Sequence, residues 1–168
     1  TWATSLTLAA AVKKVSNYDI ILFGQQAIDG DTAQVGPGVA AHLKIPQVCF
    51  VRKIEKIEDN KITVQRLMEE GYDRIELPLP AVLTVVKEIN TPRLPSLRGK
   101  RNARTAQLKT LNASDLNLDE KEVGLNGSPT QVVKIFSPTT NKAVEKHEVE
   151  PEKAVEILIN RLSEITNR

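Results

Sequence analysis

The stretch FGQQAIDGDTAQVGPG, residues 23–38, places glycines, side-chain amides and carboxylates between an apolar run and a helical pattern. Such residues can grip phosphate. Gly24 and Gly30 let main chain approach a ligand closely and permit positive φ. Backbone N–H groups at the helix start, together with the positive end of the helix dipole, face the same loop. Thr32 and Gln34 add side-chain hydrogen bonds. Asp29 and Asp31 would repel phosphate, so at least one is expected to cap backbone or meet a sugar hydroxyl. Two helix starts compete: Asp31 with Gln34 as a capping-box-like pair, and Gly36-Pro37 with proline at the first helical position. The pattern is neither a Walker loop nor GxGxxG. A plain turn and helix cap would use the same residues.

A second candidate lies in TPRLPSL, residues 91–97. A loop braced by prolines can present Leu97 as a single apolar anchor for a partner's pocket; alternatively Leu97 packs beneath its own loop. The basic run Arg98, Lys100, Arg101, Arg104 and Lys109 could touch RNA phosphates. No aromatics interleave with it, so base stacking has no support, and a solvated basic face is the plainer reading. Nothing suggests catalytic nucleophiles or a metal. His42 and His147 have no Cys or His at ligand spacing, and His42 reads as a helix-flank residue. Cys49 reads as a small core residue. Trp2 and Tyr18 read as packing groups.

The elements that must position these residues follow from periodicity. Residues Thr4 to Val15 read as a helix through Leu6, Ala9, Ala10 and Lys13, thickened by Leu8, Val12 and Val15. Ile20 to Phe23 is a short apolar run between turn formers, the pattern of a strand buried on both faces of a parallel sheet. Val35, Val39, Ala40 and Leu43 recur at helical spacing until Ile45-Pro46, and Gln47 to Val51 is β-like. Helix, strand, loop, helix, strand argues for an α/β sheet. Val51 to Ile57 and Ile62 to Leu67 then alternate about Glu58-Asp59-Asn60-Lys61 as a hairpin. Tyr72 to Leu77 adds a third strand, and its charges make the meander solvent-facing. Ala81 to Val86 is a last apolar strand. A long loop enters a short basic helix after Asn90; Asn112 to Pro129 is turn-rich; Gln131 to Phe136 reads as a short strand. Pro151 opens a final helix striped by Ala154, Val155, Leu158, Ile159, Leu162 and Ile165.

The totals set the bounds. The chain has 168 residues, 40% hydrophobic and 26% charged, with a net charge of +2. That is one ordinary domain with enough apolar content for a core, and too little charge to argue for nucleic acid. Its single cysteine excludes an internal disulfide and fits a reducing compartment. No apolar run approaches the ~20 residues of a membrane span. The chain opens on TWATSLTLAAAVKKV, without Met or a lead-in strand, so either the start was removed or this is a fragment of something longer.

Three stretches carry a resemblance. GQQAIDGDTAQVGPGVAAHLKIPQ resembles the nucleotide-binding segment of electron transfer flavoprotein β subunits, whose signature is G-[KRQ]-Q-A-I-D-x-D. LPLPAVLTVVKEINTPRLPSLRGK is similar to that family's strand and recognition loop, and the C-terminal strand and helix correspond to its end. The resemblance implies a Rossmann-like, adenine nucleotide α-hydrolase-like α/β sheet with an antiparallel meander, lacking N-terminal strands. It implies a nucleotide-binding domain over residues 1–136, with a recognition loop at 85–107, and a C-terminal arm at 137–168 on the partner subunit. It also implies that Gly24, Gln25, Gln26, Ala27, Ile28, Asp29, Gly30, Asp31, Thr32, Ala33, Gln34 and Val35 hold a nucleotide. That ligand is AMP in housekeeping members and, in flavin-bifurcating, FixA-like members, a second FAD that takes hydride from NADH. GDTAQVGP is closer to the second branch than to DDCNQTG, favouring FAD.

The implied partners are an electron transfer flavoprotein α subunit and an acyl-CoA dehydrogenase or similar flavoprotein. The latter would dock on Leu97, Arg93, Pro95 and Arg98, with Lys100 and Arg101 adding positive charge. Leu67 departs from mitochondrial-type members, which place an acidic residue there to help hold the mobile flavin domain. The implied setting is a bacterial cytoplasm rather than a mitochondrial matrix. Redox chemistry would belong to the flavin. A nucleotide-binding stress or signalling module of similar fold is the non-redox alternative.

Overall fold

The computed structural model describes residues 1–137 and 145–166, apart from the side chain of Ile165. It divides into two units, Thr1–Gln131 and Val132–Arg168. In the first, helix α1 (Trp2–Val15) precedes strand β1 (Ile20–Gly24), helix α2 (Val35–Leu43), and strands β2 (Gln47–Glu58), β3 (Lys61–Met68), β4 (Gly71–Pro78) and β5 (Ala81–Val85). Helix α3 (Leu97–Thr105) follows, and in the second unit helix α4 (Pro151–Thr166). The strands form one mixed sheet in the order β1-β5-β2-β3-β4. β1 and the first part of β2 flank β5 in parallel. β2, β3 and β4 are an antiparallel meander.

The sheet turns a corner inside β2. The register shifts between Val48 and Val51, again between Val51 and Lys53, and again between Ile54 and Lys56. Phe50 sits within the first shift at φ 59°. Bulges bend a strand and increase its twist. The bend brings the meander back over the parallel strands: Asn60 O accepts from Leu79 N–H at 2.9 Å, and Ala81 N–H, two residues later, already donates to Asp19 O at the start of β1. Val48, Val51, Ala81 and Leu83 therefore pack with Ile62, Val64 and Leu77 in one core. Each Val, Leu or Ile among them contributes about 1.5–3 kcal/mol on burial, whereas an exposed ion pair contributes about 0–1. The core, not the surface pairs Lys61–Glu76 and Arg74–Glu55, holds the meander.

On the opposite face α2 lies against β5, and α1 against α2. Two glycines set these approaches. A Cβ on Gly36 would lie 2.6 Å from Thr84 Cγ2 and 3.4 Å from Phe23 Cγ. A Cβ on Gly38 would lie 2.8 Å from Ser5 Cβ and Oγ. α2 ends as Lys44 takes φ 58° and Ile45 N–H bonds Ala40 O, one turn before Pro46 could stop it.

Three sequence expectations change. β1 is the sheet's edge, not a strand covered on both faces, and Leu22 is 58% exposed; four apolar residues show strand propensity but not which faces are covered. Gln47 to Ile57 is one bent strand rather than two segments. Residues 131–136 form no strand: they have no ladder partner among the described residues. In the second unit, α4 carries Val155, Leu158, Ile159 and Leu162, each more than half exposed. Arg161 joins Glu145 to Glu164 beside them and holds the Glu145 carboxyl below its ordinary range.

Candidate functional site

The parallel pairings of β5 with β1 and with β2 end together at Gly24, Val85 and Val51, which are in register. In open α/β sheets ligands sit beyond these carboxyl ends. The loop at residues 25–34 leaves β1 here and climbs to α2. Its residues are exposed apart from Ala33. The loop holds itself in shape with short-range bonds. Asp31 N–H donates to Ala27 O at 2.9 Å, Gly30 N–H to Asp29 Oδ1 at 2.9 Å, and Gln26 Nε2 to Asp31 Oδ1. Asp29 thus caps backbone, as one of the two acidic residues was expected to do. Positive φ falls on Asp31 (50°) and Ala33 (53°), not on Gly24 or Gly30. Those two glycines instead leave open space, with nothing within 4 Å of a Cβ on either.

Neither expected helix start is used. The cap residue of α2 is Gln34, whose side chain makes no capping bond, and Pro37 is the third helical residue. Asp31 is taken up by Gln26 instead. Gly38 N–H reaches Gln34 O at 2.9 Å and Pro37 has no N–H. Among the described residues the N–H groups of Val35 and Gly36 have no acceptor. These are donors of a helix's first turn, where the dipole favours an anion.

Sequence reasoning missed three residues at this end of the sheet. Thr84 is 2% exposed and its Oγ1 accepts from Phe50 N–H at 3.0 Å, so it fixes the β2 corner while its methyl touches the Gly36 turn. Its only signal was one hydroxyl in the apolar run AVLTVV. Phe50 in the left-handed region had no signal at all. Arg66, in register with Val51, has its Nε buried with no hydrogen-bond partner among the described residues. The other candidates lie apart. Leu97 is the first residue of α3 rather than a loop residue, and it is 86% exposed, which rules out packing beneath its own loop. Ser96 caps that helix by accepting from Gly99 N–H at 3.0 Å. Arg93, Pro95 and Arg98 are exposed beside it. Cys49 is half-buried, its Sγ donating to Gln47 Oε1 at 3.2 Å, and the Trp2 ring meets His42 edge-on at 5.0 Å.

The family model described as "Electron transfer flavoprotein domain" matches residues 1–116. The chain belongs to the electron transfer flavoprotein domain family. The chain is 48% identical over 97% of its length to the "Electron transfer flavoprotein subunit beta" of Thermoanaerobacterium thermosaccharolyticum, covering 62% of that protein. It is 53% identical over 82% of its length to the "Caffeyl-CoA reductase-Etf complex subunit CarD" of Acetobacterium woodii, covering 52% of that protein. It is 37% identical over 96% of its length to the "Protein FixA" of Sinorhizobium fredii, covering 59%. The chain thus spans between half and two-thirds of these relatives. This electron transfer flavoprotein domain has, among its described residues, no helix long and apolar enough to cross a membrane.

Two hollows border helix α1. One of about 600 Å³ is lined by Thr4, Leu8, Leu111, Leu118, Val123 and Leu125 among others. One of about 430 Å³ is lined by Leu6, Lys13, Lys14, His42 and Asp115 among others. The larger also includes Thr1, whose Oγ1 lies 3.4 Å from Thr32 Oγ1 of the loop. Volume alone would favour them, but the unpaired N–H groups and the open glycines are at the loop.

Proposed function

We propose that the protein containing this chain is an electron transfer flavoprotein β subunit that passes electrons through flavin in a heterodimer with an α subunit. Gly24 to Val35 hold an adenine nucleotide, FAD rather than AMP. The observation that carries this reading is the uncapped start of α2, with Val35 and Gly36 N–H free, beside open glycines where parallel strands end. Those donors suit a phosphate. Gln25, Thr32 and Gln34 are exposed on the same loop to meet the rest of the nucleotide. Ala33 at φ 53° supports the reading too. Backbone held in that region costs on the order of 1–3 kcal/mol and collects at ligand sites. The choice of FAD rests on GDTAQVGP and on similarity to a subunit named for a caffeyl-CoA reductase-Etf complex. A bound flavin would supply the hydride and single-electron chemistry; this chain binds, orients and encloses.

Two surfaces fit the partners. The exposed apolar stripe of α4 suits burial against the α subunit. Leu97, exposed among Arg93, Arg98, Lys100 and Arg101, suits docking on an acidic acyl-CoA dehydrogenase or similar flavoprotein. The test is to release the ligands of the intact heterodimer, identify them by mass and count flavins. Two FAD per heterodimer is the expected result. One FAD with AMP overturns the choice of FAD. No adenine nucleotide overturns the site, and a heterodimer without flavin favours the non-redox module.

A further inference from the structure

The face of β5 turned toward α2 carries Val82 and Thr84, which are 0% and 2% exposed. Ala81 and Leu83 alternate with them and belong to the core shared with the meander. Valine would fill the place of Thr84 with the same shape and no polar atom to satisfy. What the hydroxyl adds is an acceptor at the corner in β2. There β2 takes three steps, from Val48 to Val51, where β5 takes two, from Leu83 to Val85. The extra residue interrupts the ladder, and Phe50 N–H, at φ 59°, donates instead to Thr84 Oγ1 at 3.0 Å.

The same side chain reaches the start of α2. A Cβ on Gly36 would lie 2.6 Å from Thr84 Cγ2, so the methyl rests against the Gly36 main chain. Oγ1 and Cγ2 turn together about one χ1 angle. The hydrogen bond from Phe50 therefore fixes where the methyl stands, and the methyl fixes how closely α2 begins above the sheet. Gly36 is buried, and its N–H and that of Val35 have no acceptor among the described residues. A buried donor left unpaired is unfavourable, so a ligand that supplies an acceptor gains from this position. That gain depends on aim, because hydrogen bonds weaken steeply as their angle departs from linear.

We infer that Thr84 is a positioning residue for the nucleotide phosphates: held by Phe50 and seated on Gly36, it ties the N–H groups at the start of α2 to the corner in β2. It acts through Gly36 rather than by touching the ligand. This rests on the nucleotide reading above and adds to it the buried residue that sets the aim of the donors.

The experiment uses the intact heterodimer stripped of its β-site nucleotide, titrated with FAD and separately with AMP. Thr84→Val keeps the shape and removes the acceptor. Both ligands carry phosphate, so both dissociation constants rise about fivefold or more, and Thr84→Ser, which keeps the acceptor, recovers part of the loss. Phosphorus NMR of the nucleotide-saturated protein adds a signature that stability alone does not move: the phosphate resonances shift in Thr84→Val and return toward wild type in Thr84→Ser. Ile62→Val trims the meander core, lowers the urea midpoint and moves neither readout. Affinity and resonances unchanged in Thr84→Val overturn the inference, as does an equal response from Ile62→Val, which marks general loosening of the fold. Gly36→Ala presses on the same seat from the other side and decides the matter if Thr84→Val does not assemble. It weakens both nucleotides, and less so in the Thr84→Ser background, where the methyl is gone; equal weakening in the two backgrounds overturns the inference. Wild-type protein that binds neither FAD nor AMP overturns the underlying reading and the inference with it. Binding of AMP alone overturns only the choice of FAD, and the AMP titrations then decide.

Discussion

Gly36→Ala tests how α2 is seated. The added Cβ would sit 2.6 Å from Thr84 Cγ2 and 3.4 Å from the Phe23 ring. Thr84 cannot rotate away freely, because its Oγ1 accepts the Phe50 N–H at 3.0 Å. Overpacking of this kind costs about 1–3 kcal/mol. Alanine returns at most about 1 kcal/mol of helix propensity over glycine, leaving a net loss of up to about 2 kcal/mol. Thr84→Ser removes only the obstructing methyl and keeps the acceptor. It costs about 1 kcal/mol for the lost buried carbon, and in that background Gly36→Ala becomes neutral or slightly stabilising. Urea unfolding of the intact protein and its three variants, followed by far-UV circular dichroism, measures the cycle. A coupling of about 1–3 kcal/mol is expected. Additivity within about 0.5 kcal/mol would refute the claim that the Gly36–Thr84 contact sets the distance between α2 and the sheet.

Other outcomes follow from the same geometry. Gly30→Val meets open space, so it should leave the unfolding midpoint nearly unchanged yet lower nucleotide occupancy of the purified heterodimer; Asp31→Ala, which frees Gln26, should lower it too. Full occupancy after both changes contradicts the loop assignment. Leu97→Ala should slow electron delivery from the dehydrogenase at low partner concentration while bound cofactor is retained; stopped-flow traces identical to wild type remove Leu97 as an anchor. Glu55 is held below the ordinary carboxylate range, first by the Gln65 amide at 2.6 Å and then by Arg74 at 2.6 Å. A depressed carboxylate adds stability that is present above its unfolded pKa and lost as pH falls through its folded one. Glu55→Gln should therefore flatten the acid limb of the stability-against-pH curve and leave the alkaline limb alone; parallel curves would show that the pair contributes nothing.

The order of elements was legible because each announces itself locally. The 3.6-residue stripe of Leu6, Ala9, Ala10 and Lys13, the alternation from Ile62 to Leu67 and the apolar run before Gly24 need no distant partner to be read. The signature GQQAIDGD located the loop, since a chain that must expose main-chain donors uses small residues there. Details of the cap were not legible. Asp31 and Gln34 have the chemistry of a capping pair, but the side-chain amide of Gln26 claims Asp31 first, and that competition depends on how the loop folds. The apolar stripe Val155, Leu158, Ile159 and Leu162 shows in sequence as a helix face, and in the structure stays more than half exposed.

By itself the sequence determined most of the helices and strands of the first unit, though not the absence of a strand at residues 131–136, and also where the glycine-rich loop lies and which family the chain resembles. These are properties of residue type and spacing along the chain. Only the tertiary structure decided what Gly36 and Gly38 are for: they admit Thr84 and Ser5, which lie 48 and 33 positions away in sequence. It alone decided that β2 turns at Phe50 and that Arg66 joins the row of Gly24, Val85 and Val51. The reason is physical. A bend, a close approach and a shared edge are relations between residues far apart in the chain, and no local periodicity encodes them.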